Sequence, residues 1–165
     1  MKSINSLITA ATFIGAVSAA SPALAVDEYN VSPGTTRTGE RVALRGNDTV
    51  ALALGLGVTD GHAALLHVHD GVAYYFASEG TRDAFASNPA AYVPQFGGYC
   101  AFGVAVGKKL DASPRFADIA DGKLYVFLDA AAFQAYEEDK AGTLAKAKKN
   151  WPGMHHVAVS EVNSR

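Results

Sequence analysis

The sequence predicts an α+β fold: a small single domain of antiparallel β-hairpins packed with short helices. The pairs Asp70-Gly71 and Asp121-Gly122 each separate two short apolar runs, and an Asp-Gly pair readily adopts the positive φ angles of a tight hairpin turn. Helix-start signals follow each of these hairpins. Grouped hairpins with helices between them are typical of α+β folds rather than of parallel sheets.

The first hairpin is predicted from the apolar, aromatic-rich runs 63–68 and 72–76. Ser78 then serves as the N-cap of a helix over residues 79–87, because a serine oxygen accepts hydrogen bonds from the free N–H groups of a first helical turn. That helix ends at Asn88-Pro89, since proline disfavours the α conformation of the residue before it. Residues 50–56 are apolar with glycines, and they fit either a buried strand or a short helix.

The second hairpin is predicted from runs 116–119 and 123–128, and a helix over 129–149 follows it, with Asp129 as N-cap and a break near Gly142. The order of hairpin and helix therefore occurs twice. Residues outside the Asp-Gly pairs do not match well enough to establish an internal repeat.

Residues 1–25 have the features of a cleavable secretory signal: basic Lys2, a short apolar run, and the small-residue site Ala23-Leu24-Ala25. Cleavage after Ala25 leaves 140 residues, enough for one ordinary domain. We expect a periplasmic protein. Its expected organisation is a flexible leader at 26–40, a folded domain at 41–152 and a C-terminal tail at 153–165.

The composition argues against several classes of function. The chain has a formal net charge of −2, and nucleic acids and anionic membranes select clustered cations instead. The apolar run of the signal segment is too short to span a membrane, and no later stretch is apolar and long enough to do so. Motifs for a Ser/His/Asp triad, a phosphate loop or an H-E-x-x-H zinc helix are absent. Since Asp83, Asp118 and Asp121 fit helix or turn positions, no enzymatic activity is expected.

Residues 67–102 resemble the YHS domain family, and with later motifs the resemblance extends over about 41–152. It rests on an aromatic second hairpin strand and on the following motifs: Phe76-Ala77-Ser78, Arg82-Asp83-Ala84-Phe85, Pro89 with Tyr92, Gly97-Gly98-Tyr99-Cys100-Ala101, Asp121 to Tyr125 and Asn150-Trp151-Pro152. The resemblance implies a small α+β domain associated with heavy-metal handling. Metal-linked members carry an F-C-S-x-x-C pattern, in which Ala77 and Thr81 replace both cysteines here.

Three residues are candidate metal ligands. Cys100 is the single cysteine of the chain, so it either packs in the core as a small apolar residue or acts through its thiolate, the preferred ligand of Cu(I). His67 and His69 lie two apart on a predicted strand, which puts both imidazoles on one face. They either bind one metal ion or half-cover the sheet. Met154, His155 and His156 form a weaker copper candidate, because adjacent residues of an extended segment point to opposite faces.

The favoured hypothesis is a periplasmic, YHS-type module that binds copper, or else zinc, through Cys100, His67 and His69. A metal-free interaction module is the first alternative, with the aromatic segment 92–102 either packing a core or contacting a periplasmic protein partner. Thiol redox chemistry at Cys100 is the second alternative.

Overall fold

The computed structural model describes residues 28–165, and these have the predicted α+β fold, with six helices and two small sheets. The predicted signal segment, residues 1–25, lies outside the described residues. No helix within 28–165 is long and apolar enough to cross a membrane.

The larger sheet contains the first predicted hairpin. Its strands are β1 (Val31–Thr35), β2 (Arg41–Ala43), β3 (His62–His69) and β4 (Val72–Phe76), in the spatial order β1-β2-β4-β3. Strands β3 and β4 pair antiparallel around Asp70 and Gly71, whose φ angles are 50° and 76°. Strands β1 and β2 are antiparallel, whereas β2 and β4 are parallel. Antiparallel hairpins therefore supply most, but not all, of the pairing in this sheet.

The second predicted hairpin forms a separate two-stranded sheet of β5 (Ser113–Ala120) and β6 (Lys123–Phe127). Its turn residues Asp121 and Gly122 have φ angles of 52° and 67°. Both Asp-Gly pairs thus adopt the doubly positive φ conformation that a two-residue hairpin turn requires.

The helices are α1 (Thr49–Ala53), α2 (Glu79–Ser87), α3 (Ala101–Ala105), α4 (Ala130–Glu138), α5 (Lys140–Asn150) and α6 (Val159–Ser164). Helix α2 has the predicted bounds, and the Ser78 hydroxyl accepts a hydrogen bond from the Thr81 N–H at 3.1 Å. The ambiguous segment 50–56 is resolved as α1 followed by a glycine-containing loop.

The helix predicted over 129–149 is two helices, and the break lies at Asp139 rather than at Gly142. The backbone of Asp139 is not helical (φ −148°, ψ 71°), and its carboxylate accepts a hydrogen bond from the Gly142 N–H at 2.9 Å. A Cβ atom at residue 142 would lie 2.0 Å from this carboxylate. A larger residue at position 142 would therefore displace the Asp139 carboxylate from its capping position.

Both ends of the described chain differ from expectation. Within the expected flexible leader, residues 31–35 form β1, because they pair with β2 at the sheet edge. Within the expected tail, Met154 and Val162 are buried against the core around α3 and α5. Their apolar side chains give the C-terminal segment a packed position rather than a solvated one.

Two segments of the fold are copies of one structural unit, repeat 1 (residues 44–88) and repeat 2 (residues 96–139). In each, a five-residue helix precedes an eight-residue strand, a two-residue turn, a five-residue strand and a nine-residue helix. Strand pairing agrees residue by residue, and the same irregularity separates the last two pairs of each hairpin. The repeat that the sequence left unestablished is therefore present in the structure.

The correspondence extends to unusual backbone conformations. Leu44, Arg45 and Gly46 have φ angles of 44°, 56° and 81°, and the residues 52 positions later, Phe96, Gly97 and Gly98, have 55°, 61° and 80°. A run of three left-handed residues is rare outside glycine. Its occurrence before both α1 and α3 supports a common structural origin for the two units.

The beginning of repeat 1, around α1, packs against the hairpin of repeat 2. Leu44 and Leu52 of repeat 1 pack against Leu124 and Val126 on β6 of repeat 2. Helix α3, the counterpart of α1, instead packs against α5. The C-terminal helices therefore cover the face of repeat 2 that, in repeat 1, is buried against the neighbouring unit.

Candidate metal centre

Cys100 is a helix cap inside the core. Its side chain is fully buried (0% exposed), and its Sγ accepts a hydrogen bond from the Gly103 N–H at 3.3 Å at the start of α3. Burial raises the pKa of the Cys100 thiol above its usual value, although the backbone N–H groups of Gly103 and Leu128 oppose the shift. The position favours a neutral thiol over the thiolate that binds soft metals or exchanges disulfides.

The repeat explains what the Cys100 side chain does. Its counterpart in repeat 1 is Asp48, which is also fully buried and caps α1. The Asp48 carboxylate accepts hydrogen bonds from the N–H groups of Val50, Ala51 and Ala77 at 2.9 to 3.0 Å. Each repeat thus has an internal acceptor for the free N–H groups of its first helix. This role accounts for Cys100 without a metal.

We expect thiol reagents to leave Cys100 unmodified in the folded protein, both at neutral pH and at about pH 9, because the thiol is buried and its pKa is raised. In guanidinium chloride the reaction should proceed to completion. Labelling rates measured by mass spectrometry test this, with the unfolded protein as control. A native rate close to the unfolded rate would contradict the assignment of a buried cap.

His67 and His69 share one face of β3, as predicted, and both rings contact Phe85 edge-on. The ring centroids lie 5.6 and 6.0 Å from that of Phe85. Both imidazoles are half-buried and cover the sheet face. Within residues 28–165, the structure does not bring Cys100, His67 and His69 together as a three-ligand group.

Gly97 brings the beginning of the described chain to the C-terminal half of the fold. A Cβ atom at residue 97 would lie 2.1 Å from the Glu28 carbonyl oxygen, so only glycine allows this close approach. The Asn30 N–H donates to the Gly97 carbonyl at 2.8 Å, and the Asn30 amide donates to the Gly98 carbonyl at 3.0 Å. The glycine pair therefore holds residues 28–30 in place. Cys100, which follows shortly after this pair, remains buried.

This docking places Glu28 beside two adjacent histidines. Glu28, His155 and His156 each offer one ligand atom, and these atoms all lie within 4.8 Å of one another. No other set of three or more histidine, cysteine or acidic side chains in the described residues is this close. Oε1 of Glu28 and Nδ1 of His156 are in hydrogen-bond contact. From the sequence, His155 and His156 are only a weaker pair of candidate metal ligands, and Glu28 is not a candidate.

The geometry suits a small cation after modest side-chain movement. Ligand atoms in a tetrahedral site with bonds near 2.1 Å are separated by about 3.4 Å, against the 4.8 Å limit here. Burial, followed by the neighbouring His156, lowers the pKa of His155. His155 is therefore held in the neutral form, the form of imidazole that binds metals.

The aromatic segment and the candidate acids have structural roles. Phe96 and Tyr99 are buried in the core, where Phe96 contacts Trp151 with ring centroids 5.8 Å apart. Asp118 accepts hydrogen bonds from Tyr136 and Lys140, both at 2.8 Å. These contacts join β5 to α4 and to the first residue of α5.

No protein-family model matches this chain, and neither a curated protein nor a solved structure matches it. What the candidate centre can bind follows from its own side chains. Two imidazole nitrogens and one carboxylate form a mixed nitrogen and oxygen ligand set, which suits borderline divalent metals such as Zn²⁺ and Cu²⁺.

Proposed function

We propose that this protein is a metal-binding module that holds a divalent transition metal, Zn²⁺ or Cu²⁺, at Glu28, His155 and His156. The observation that carries the proposal is the convergence of these three side chains within 4.8 Å. Three protein ligands leave at least one coordination position for water or another donor.

The proposed site changes the expected metal. A cysteine thiolate would select Cu(I), whereas imidazole with carboxylate favours divalent ions. Within that class, the Irving–Williams order places Cu²⁺ above Zn²⁺ in affinity. Cu²⁺ is therefore the best first probe, and Zn²⁺ is its redox-inert competitor.

The wider setting of this proposal is the exported, YHS-type module of the sequence analysis. The signal features of residues 1–25 and the motifs between residues 67 and 102 support it. A periplasmic location would expose His156, whose side chain is 71% exposed, to metal ions in that compartment.

Trp151 provides a direct test of metal binding. It is the single tryptophan of the chain, and its ring lies 4.9 Å from that of His155. Cu²⁺ bound at the site should quench its fluorescence, and Zn²⁺ added in large excess should restore it, since Zn²⁺ binds such sites more weakly than Cu²⁺. At a hundredfold excess over Kd, bound metal contributes about 2.7 kcal/mol of stability. We therefore expect Tm to rise by about 5 to 10 °C.

The matched variants separate the proposed site from the earlier candidates. We expect His155→Ala, His156→Ala and Glu28→Gln each to weaken Cu²⁺ binding by at least about tenfold, because each substitution removes one of the three protein ligands of the metal. His69→Ala and Cys100→Ser should bind like the unmodified, untagged protein. Quenching that survives His155→Ala and His156→Ala, or that disappears in Cys100→Ser, would refute the proposed site.

A further inference from the structure

The candidate centre depends on how the backbone turns at residues 154–157. Adjacent residues in an extended chain point to opposite faces, yet the rings of His155 and His156 lie side by side with centroids 4.2 Å apart. Here the chain is folded into tight turns, in which the His155 N–H donates to the Trp151 carbonyl at 2.8 Å and the Val157 N–H donates to the Met154 carbonyl at 3.0 Å. Something must hold this short segment in its turned conformation.

Lys109 contacts this segment from inside the protein. Its side chain is 1% exposed, and Nζ donates to the carbonyl oxygens of His155 at 3.0 Å and Val157 at 2.7 Å. These carbonyls belong to the residues on either side of His156. One ammonium group therefore holds the peptide unit that directly precedes His156 and the one that follows Val157, so the backbone is fixed on both sides of His156. Charged donors make stronger hydrogen bonds than neutral ones.

The same ammonium supports the ring stack beneath the site. Nζ of Lys109 lies 5.6 Å from the centroid of the Trp151 ring, within cation–π range. The Trp151 ring is inclined by 33° to that of His155, at 4.9 Å. Lys109 thus acts on His155 through Trp151 as well as through its backbone carbonyl.

We propose that Lys109 is the positioning residue of the metal centre. It contacts the backbone of His155 rather than any metal-binding side-chain atom, and it thereby orients two adjacent histidines so that both imidazoles can bind one metal ion. The inference rests on the proposed function. It adds a residue from the loop between α3 and β5 to a site otherwise built from the two ends of the described chain.

The test compares Lys109→Met with Lys109→Arg in the full chain, using Cu²⁺ as the probe. Methionine keeps the apolar stem but removes the donors, whereas arginine can still donate to both carbonyls. We expect Lys109→Met to weaken Cu²⁺ binding by at least about tenfold and Lys109→Arg to recover part of that loss. Electron paramagnetic resonance of bound Cu²⁺ should report two imidazole nitrogens in the unmodified protein and one in Lys109→Met.

Asn163→Ala is the control for a merely structural effect. Asn163 bonds the Lys109 backbone, accepting from its N–H at 2.9 Å and donating to its carbonyl at 3.0 Å. This variant should lower Tm yet keep both the affinity and the two-nitrogen signature. If Lys109→Met does not fold, Lys109→Leu, which also removes every donor, takes its place in the comparison.

Unchanged Cu²⁺ affinity and a two-nitrogen signature in folded Lys109→Met or Lys109→Leu would overturn the positioning role while leaving the metal site intact. Failure of the unmodified protein to bind Cu²⁺ would instead reject the proposed function itself, and the positioning role with it. The two failures are distinguishable because they appear in different proteins of the series.

Discussion

Replacing Asp48 with alanine should lower the free energy of unfolding by about 3 kcal/mol, because three backbone N–H groups, one of them only partly buried, lose their acceptor. The carboxylate accepts from Val50 and Ala51 at the start of α1 and from Ala77 after β4. It therefore joins the first helix of repeat 1 to the end of its hairpin. Urea unfolding followed by circular dichroism measures the loss.

Asp129→Ala is the matched control for this loss. Asp129 is also a helix N-cap, but it is exposed, and within residues 28–165 its carboxylate accepts a capping bond only from the Ala132 N–H, at 2.9 Å. Its removal should cost about 1 kcal/mol. Asp48→Cys, which installs the group that repeat 2 carries, should retain more stability than Asp48→Ala. Equal costs for Asp48→Ala and Asp129→Ala would contradict the interior role assigned to Asp48.

Phe85→Ala should be at least as damaging, at about 4 kcal/mol, because it removes a fully buried aromatic ring and leaves a cavity. The Phe85 side chain extends from α2 onto the hairpin, and its ring centroid lies 4.7 Å from that of Tyr74 and 5.1 Å from that of Phe76. Its loss also removes the surface that His67 and His69 cover. Thermal and urea unfolding both measure the effect.

The control is Leu56→Ala, since Leu56 is an apolar side chain that is 69% exposed. Its removal should change stability by less than about 0.5 kcal/mol. If the Phe85→Ala variant remains folded, Cu²⁺ should still quench its Trp151 fluorescence, because the proposed metal centre uses none of the residues around Phe85. A cost no greater than that of Leu56→Ala would show that this ring is not a core element.

The hairpins were the most predictable elements because their signals are local. Asp-Gly turns and short apolar runs lie within a few residues of one another, and the strands at 62–76 and 113–127 formed where these signals lie. Ser78 marked α2 for the same reason. Strand β1 was missed because its polar residues gain their place by pairing with β2, which local composition does not indicate.

The sequence left the repeat unestablished because the two units have the same structure but few identical residues. Asp48 and Cys100 fill the same capping position with different chemistry, and Phe85 and Tyr136 fill the same buried ring position. Hydrogen-bond geometry and strand register are preserved where residue identity is not. Only coordinates reveal such a correspondence.

The candidate centre was partly visible in the sequence. His155 and His156 were recognised as possible ligands, but no local signal indicated that they would lie on the same side. Glu28 gave no signal at all, since it lies 128 positions from His156 along the chain.

The amino-acid sequence by itself determined the α+β class, the two hairpins and the helix caps Ser78 and Asp129, because turn chemistry and capping act over a few neighbouring residues. Tertiary structure alone decided what surrounds Cys100 and the candidate histidines. Cys100 is covered by the core, His67 and His69 face Phe85, and the distant Glu28 meets His155 and His156. A ligand set requires side chains to converge in space, and long-range packing, not local propensity, brings them together.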